Sequence, residues 1–218
     1  MRTIVYVDGF NLYYGSLKDR PGVRWLNLLA LAERLLPENT IVGVNYFTAP
    51  VRPRPGKTGQ ADRQRLYLRA LETIPNLTVY YGVYLARKKR RPLVNPQPGL
   101  TRQWPATALF HDSEEKGSDV NLATRLLVDG HADRFEAAAI ISNDGDLKMP
   151  VEVVRQELDL SVTIINPHDR RRSAALSPRS LPPHAHYIQL RQVDLRASQF
   201  PDTLTTASKR QLTKPGGW

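Results

Sequence analysis

Carboxylates recur in three short stretches of this chain, each at a junction between elements. Ser142-Asn143-Asp144-Gly145-Asp146-Leu147 follows the apolar run Ala137–Ile141. It precedes Leu147, Val151, Val154 and Leu158, which are spaced as one face of a helix. Asp8-Gly9-Phe10-Asn11 follows the β-rich run Arg2–Val7. Glu115-Lys116-Gly117-Ser118-Asp119 opens a periodic segment carrying Val120, Leu122, Ala123, Leu126 and Leu127. One acid at a helix start is well explained as a cap, and Asp144 or Asp146 alone is explained as well that way as by any function. Acids at three junctions are harder to read as three caps, because strand ends are where open α/β sheets bind ligands. Carboxylates gathered there repel one another unless a cation sits between them. With no cysteine and only 5 scattered histidines, the donors are oxygens, which suit Mg²⁺ or Mn²⁺ rather than zinc.

The segments that must position these acids alternate in pattern. Arg2–Val7, Ile41–Thr48, Leu77–Leu85, Ala106–Phe110, Ala137–Ile141 and Ser161–Ile165 read as strands. Asn11–Leu17, Trp25–Leu36, Gln60–Leu71, Asp119–Val128 and Asp146–Leu158 read as helices. Such alternation predicts an α/β fold, a central parallel sheet with helices on both faces and right-handed crossovers. Residues 49–59, rich in Pro, Gly and Arg, are expected to form a loop. Residues 86–105 are expected to form a hairpin or a mobile basic loop, because Arg87-Lys88-Lys89-Arg90-Arg91 runs into Pro92, Pro96 and Pro98. Residues 1–167 read as one domain and residues 168–218 as an extension partly ordered against it. Within the extension, Ile188–Leu195 suits a strand or a short helix. The polar tail from Ser198 to Trp218 reads as frayed, with docking of Trp218 on a neighbour as the alternative.

The 218 residues hold 31 Lys and Arg against 21 Asp and Glu, a net charge of +10. An acidic site on a basic protein points to a polyanionic partner. No apolar run at the start is long enough for a signal core or a membrane span, so a cytoplasmic protein without a membrane partner is expected.

Taken in order, Val5-Tyr6-Val7-Asp8-Gly9-Phe10-Asn11, Glu115-Lys116-Gly117-Ser118-Asp119-Val120-Asn121-Leu122-Ala123 and Ile141–Leu147 resemble the NYN domain of the PIN-like nuclease superfamily, most closely its bacterial branch. The resemblance covers residues 1–167 and implies a PIN-like (Rossmann-like) fold with metal-dependent cleavage of RNA or other nucleic acid. By motif match it places Asp8, Asp119, Asp144 and Asp146 on the family's metal-site acids, and Asn11 on its signature Asn. A further acid that many relatives carry on an early helix has no secure counterpart here, though Asp62 and Glu72 are candidates.

Hydrolysis of a phosphodiester needs an activated water, a stabilised pentavalent phosphate and a stabilised leaving oxygen, and carboxylate-held metal ions supply all three. The expected function is therefore a divalent-metal-dependent endoribonuclease on single-stranded RNA, with DNA not excluded. The rivals are an RNA-binding regulatory module with a vestigial metal site and a phosphatase for small esters. Asn11 can donate to phosphate or accept from water or metal, or else bond its own backbone. Ser142 either fixes a carboxylate or ends a strand. Glu115 is an accessory ligand candidate. Lys116 and the run Arg87, Lys88, Lys89, Arg90 and Arg91 are candidates for holding the nucleic-acid backbone, against the plainer reading of solvated charge. Tyr13 and Tyr14 are candidates for stacking on bases.

Overall fold

The computed structural model describes residues 1–51, 59–93, 107–169, 176–181, 183 and 185–218. In chain order the first half comprises β1 (Arg2–Asp8), α1 (Gly9–Leu12) running into a π-helical turn (Tyr13–Leu17), α2 (Leu28–Leu35), β2 (Thr40–Thr48), α3 (Gln60–Leu71), β3 (Leu77–Tyr81) and β4 (Val83–Pro92). The second half comprises β5 (Thr107–Lys116), α4 (Ser118–His131), β6 (Ala137–Ile141), a 3₁₀ turn (Gly145–Leu147), α5 (Lys148–Glu152) with a π turn to Glu157, β7 (Ser161–Asn166), β8 (His186–Gln189), α6 (Gln192–Ala197), β9 (Thr203–Thr205) and β10 (Gln211–Thr213).

Six strands form one sheet in the order β3-β2-β1-β6-β7-β8, and every neighbouring pair is parallel. Both faces of the central strands are covered, which is why β1 and β6 read as continuous apolar runs rather than alternating ones. Val5 and Val7 join Trp25, Leu28, Leu31 and Leu71 on one face. Ile4 and Tyr6 join Leu122, Leu126, Val151 and Val154 on the other. From β1 the chain builds outward through β2 and β3, then returns to build β6, β7 and β8 on the opposite side. The reversal puts a topological switch point between β1 and β6, and the crevice beyond their carboxyl ends is where such sheets bind ligands.

Helix α4 is fixed at its far end by a buried carboxylate. Asp129 accepts from Tyr6 Oη at 2.9 Å and pairs with Arg125 and Arg134. A buried charge needs this degree of pairing. The contact holds α4 against the centre of β1 and so sets where its first turn, with Asp119, projects.

Several segments differ from their expected form. Leu77–Leu85 is two strands rather than one. The chain leaves the sheet at Gly82, whose N–H bonds Thr48 O at 2.8 Å, and Val83 starts a separate antiparallel ribbon with β5. Of the two forms expected for the basic run, hairpin or loop, the ribbon fits the hairpin: the run lies on strand β4, with Arg87 opposite Asp112 and Arg91 opposite Ala108. The prolines that suggested a loop fall after it. Residues 94–106 and 52–58 lie outside the described residues. α2 starts at Leu28, where the Asn27 side chain accepts from the N–H groups of Leu29 and Ala30, and Trp25 precedes it as a buried core residue. Ile188–Leu195 contributes both to a strand, β8, and to a helix, α6. The tail is not frayed: β9 and β10 pair, and the Trp218 ring stacks edge-on against Trp25 at 6.0 Å.

Candidate active site

Asp8 is the last residue of β1 and the N-cap of α1, its Oδ1 accepting from Asn11 N–H at 2.9 Å. Gly9 follows because a Cβ there would lie 2.6 Å from the Tyr46 hydroxyl and 2.7 Å from Phe47 O. Ser142, directly after β6, is fully buried and donates from Oγ to Asp8 Oδ2 at 3.0 Å. The same Oγ accepts from Asp144 N–H at 3.1 Å. Asp144 caps the 3₁₀ turn, its Oδ1 accepting from Asp146 N–H at 3.0 Å. For Asp8 and Asp144 the cap and the site are thus the same geometry: the bond to the helix start aims the carboxylate.

Asp8, Asp119, Asp144 and Glu115 line one hollow of about 220 Å³, with Asn11, Phe10, Tyr14 and His168. Asp119 stands in the first turn of α4, which Gly117 opens in the left-handed region at φ 92°. Glu115 reaches forward to accept from Ser118 N–H at 2.8 Å. Asp146 is exposed and does not line the hollow, although its charge is felt at Asp119. Lys116 and the basic run of β4 are exposed and outside it too. Ser142 lies beneath Asp8 as a support rather than at the hollow's surface.

The electrostatics report the crowding. Burial foremost, opposed by the Asn11 and Ser142 hydrogen bonds and reinforced by Asp119 and Asp144, pushes the Asp8 carboxyl up to about 7. Burial, then Asp144, Glu115 and Asp146, pushes Asp119 up to about 6. Asp8 is part-protonated near neutral pH, and Asp119 takes up its proton about one pH unit lower, unless positive charge arrives.

Asn11 is committed differently from expectation. Its Oδ1 accepts from Asn143 N–H at 3.0 Å and lies 3.1 Å from His168 Nε2. The carbonyl end therefore ties three loops together, and the amide N–H₂ is the end turned to other work. Sequence reasoning passed over His168 as part of a charged tail. The signal was its place just past β7, on the same sheet edge as Asp8 and Ser142. Gly15 makes room for it, since a Cβ there would meet the imidazole at 2.8 Å. No three carboxylate or imidazole groups among the described residues stand close enough as placed to enclose a metal ion. Among the same residues no helix is long and apolar enough to cross a membrane.

A six-stranded parallel sheet with acids at its switch point defines a PIN-like α/β domain of nuclease type. A family model for the NYN domain matches residues 2–178, and the chain belongs to that family. The match runs past residue 167 and takes in His168. A curated protein of Pseudomonas putida (strain DSM 28022 / S16), 6-hydroxy-3-succinoylpyridine 3-monooxygenase HspA, is 26% identical over 242 residues, covering 100% of this chain and 75% of that protein. A solved structure of a protein of unknown function from Vibrio parahaemolyticus aligns with TM-score 0.47 and 16% identity, over 88% of this chain and 93% of that one.

Proposed function

We propose that this chain is a divalent-metal-dependent ribonuclease that cuts phosphodiester bonds within single-stranded RNA. The observation that carries the reading is the hollow itself: Asp8, Asp119, Asp144 and Glu115 face one space at the switch point of the sheet. Their chemistry fits Mg²⁺ or Mn²⁺. The donors are hard oxygens, the raised proton affinity of Asp8 and Asp119 marks carboxylates that are buried and, second to that, crowded by like charge, and a wide hollow suits an ion that keeps several of its waters. Asp8, Asp119 and Asp144 stand too far apart to enclose the bare ion, so they would hold it partly through its own waters, with Glu115 as an accessory and Asp146 acting through its field. When bound, the ion lowers the pKa of water and neutralises phosphate oxygens.

The chain's own residues do the rest. Ser142 and the Asn11 N–H keep Asp8 fixed and aimed. The Asn11 amide N–H₂ is a donor for a phosphate oxygen. His168 holds Asn11 from behind. Lys88 and Arg90 offset the repulsion between the acidic hollow and the RNA backbone. Lys116 adds to the same positive field.

The test is cleavage of end-labelled single- and double-stranded RNA and DNA with Mn²⁺, with Mg²⁺ and with chelator, using wild type and Asp8→Asn. Metal-dependent cuts inside single-stranded RNA, absent in the variant, are expected. Cleavage that survives chelator or Asp8→Asn overturns the reading. Tight RNA binding without turnover would mark the site as vestigial.

The Pseudomonas relative favours a second reading, chemistry on a small heteroaromatic ring. Non-haem iron oxygenases use two histidines and one carboxylate. Among the described residues this hollow offers one imidazole, His168, among its carboxylates. The donor set thus sides with hydrolysis.

A further inference from the structure

Beside the acid hollow lies a second cavity of about 130 Å³. Phe10 and Tyr14 line both, so the two spaces share a wall. The described residues around the second are rich in rings: Phe10, Tyr13, Tyr14, Tyr67, Tyr84 and Trp218. Their surfaces are not all core. Tyr14 is 57% exposed, and Phe10, Tyr13, Tyr84 and Trp218 are half-buried, so the cavity opens toward the hollow and solvent. Polar groups break the apolar lining. Thr48 is at the end of β2, and Gln60 and Arg63 are on the first turn of α3. Gln64 is locked, donating to Ala49 O at 3.0 Å and accepting from Val51 N–H at 2.7 Å.

We infer that this cavity seats the single six-membered ring of a pyrimidine base whose phosphate lies in the acid hollow. The inference rests on the nuclease reading above and adds a base preference to it. Size decides between the base classes. An apolar protein cavity on the order of 150 Å³ takes one benzene. At about 130 Å³ the cavity matches one ring more closely than the fused rings of a purine, which would protrude into the opening. The lining decides the chemistry. Aromatic walls stack on any base face, and the hydroxyl, amide and guanidinium groups suit a heterocycle with polar edges rather than a hydrocarbon. Adjacency decides the source. A base held behind Phe10 and Tyr14 places its own phosphate across the shared wall, in reach of Asp8 and Asp119. The base must leave any stack to enter, so the same pocket selects unpaired strands.

The test has a cleavage arm and a binding arm. In the first, wild type cuts oligouridylate and oligoadenylate with Mn²⁺, and kcat/KM is compared with Tyr84→Ala and with Gln60→Trp, which fills the cavity. Uridylate is expected to be cut at least about fivefold better, as loss of one base stack typically weakens binding five- to 150-fold. Both variants should move the ratio toward one. In the second arm, metal-free Asp144→Asn protein is titrated calorimetrically with uridine, adenosine and 2-hydroxypyridine. Uridine binding, lost in Gln60→Trp, is expected. Equal cutting of the two strands by an active enzyme overturns the pocket assignment and leaves the nuclease reading in place. No cutting of any strand, with uridine still bound over adenosine, overturns the nuclease reading and keeps the pocket as a pyrimidine site. Binding of 2-hydroxypyridine without uridine overturns the base assignment in favour of a free small ring.

Discussion

Ser142 Oγ donates to Asp8 Oδ2 at 3.0 Å, and through this bond the end of β6 holds the acid at the end of β1. The bond also favours the ionised form of Asp8. Ser142→Ala should therefore loosen the carboxylate and raise its proton affinity further. Cleavage is expected to fall about tenfold, with the pH–rate midpoint moved upward, while buried Ala leaves the fold intact. Wild-type activity with an unchanged pH profile would reduce Ser142 to a strand terminator.

The raised Asp8 pKa has a stability consequence whose sign is fixed. Its ordinary value is 3.8 and its folded value about 7, so the folded protein binds that proton more tightly. The contribution is full below the unfolded pKa and is lost as pH rises through 7. In chelator, urea unfolding of wild type should lose stability on the order of a few kcal/mol between pH 4 and pH 7.5. Asp8→Asn should show a much shallower decline. Superimposable pH profiles would contradict the crowding of the hollow.

Metal binding must displace the same protons, so its affinity should fall as pH drops from 7 toward 6. Millimolar Mn²⁺ should raise the melting temperature at pH 7.5, less so at pH 6, and little in Asp8→Asn. A shift equal in both proteins would put the ion elsewhere.

Placing the basic run on a strand divides it between two faces. Lys88 and Arg90 share a face with Tyr84, which pairs with Glu115 of the hollow, whereas Arg87, Lys89 and Arg91 point the other way. At about 3.3 Å per residue, Lys88 and Arg90 stand roughly 13 and 20 Å along the ribbon from Tyr84. Replacing both with Ser in an Asp144→Asn background should flatten the salt dependence of RNA binding by about 1.4 log units per decade. Replacing Arg87, Lys89 and Arg91 should change it little. Binding titrations across a salt series separate the faces, and the reverse pattern would send the RNA along the other one.

Tyr6 Oη is one of the donors that satisfy buried Asp129. Tyr6→Phe should cost about 1–3 kcal/mol in urea unfolding, because Arg125 and Arg134 remain as partners while one bond to a charged group is lost. A negligible change would mean that α4 is held by its apolar face alone.

The sheet was legible because its strands are short, apolar and flanked by periodic helices, and order along the chain placed Asp8 and Ser142 at one edge. Asp8, Asp119 and Asp144 were legible for the same reason, whereas Asp146, one residue beyond the cap, turns out to solvent. The ribbon was not, since a strand of Arg and Lys carries no apolar alternation, and its partner β5 is almost as polar. His168 escaped because the contact that matters, to Asn11, spans most of the chain. Trp218 was misjudged because stacking on Trp25 is a tertiary event with no local pattern.

The double duty of two acids has an evolutionary consequence. Asp8 and Asp144 each hold a helix start as well as facing the hollow, so selection for folding keeps a capping side chain, Asp or Asn, at both positions even in a chain that has stopped turning over substrate. Asp119 caps no helix and sits in a crowd of like charge, so its loss should relieve repulsion. In lineages that drift into inactivity, position 119 should be the first of the three to change. A relative that keeps Asp or Asn at 8 and 144 but carries a non-capping neutral residue at 119 is then a retired enzyme, and one that keeps all three acids is still under selection for its chemistry.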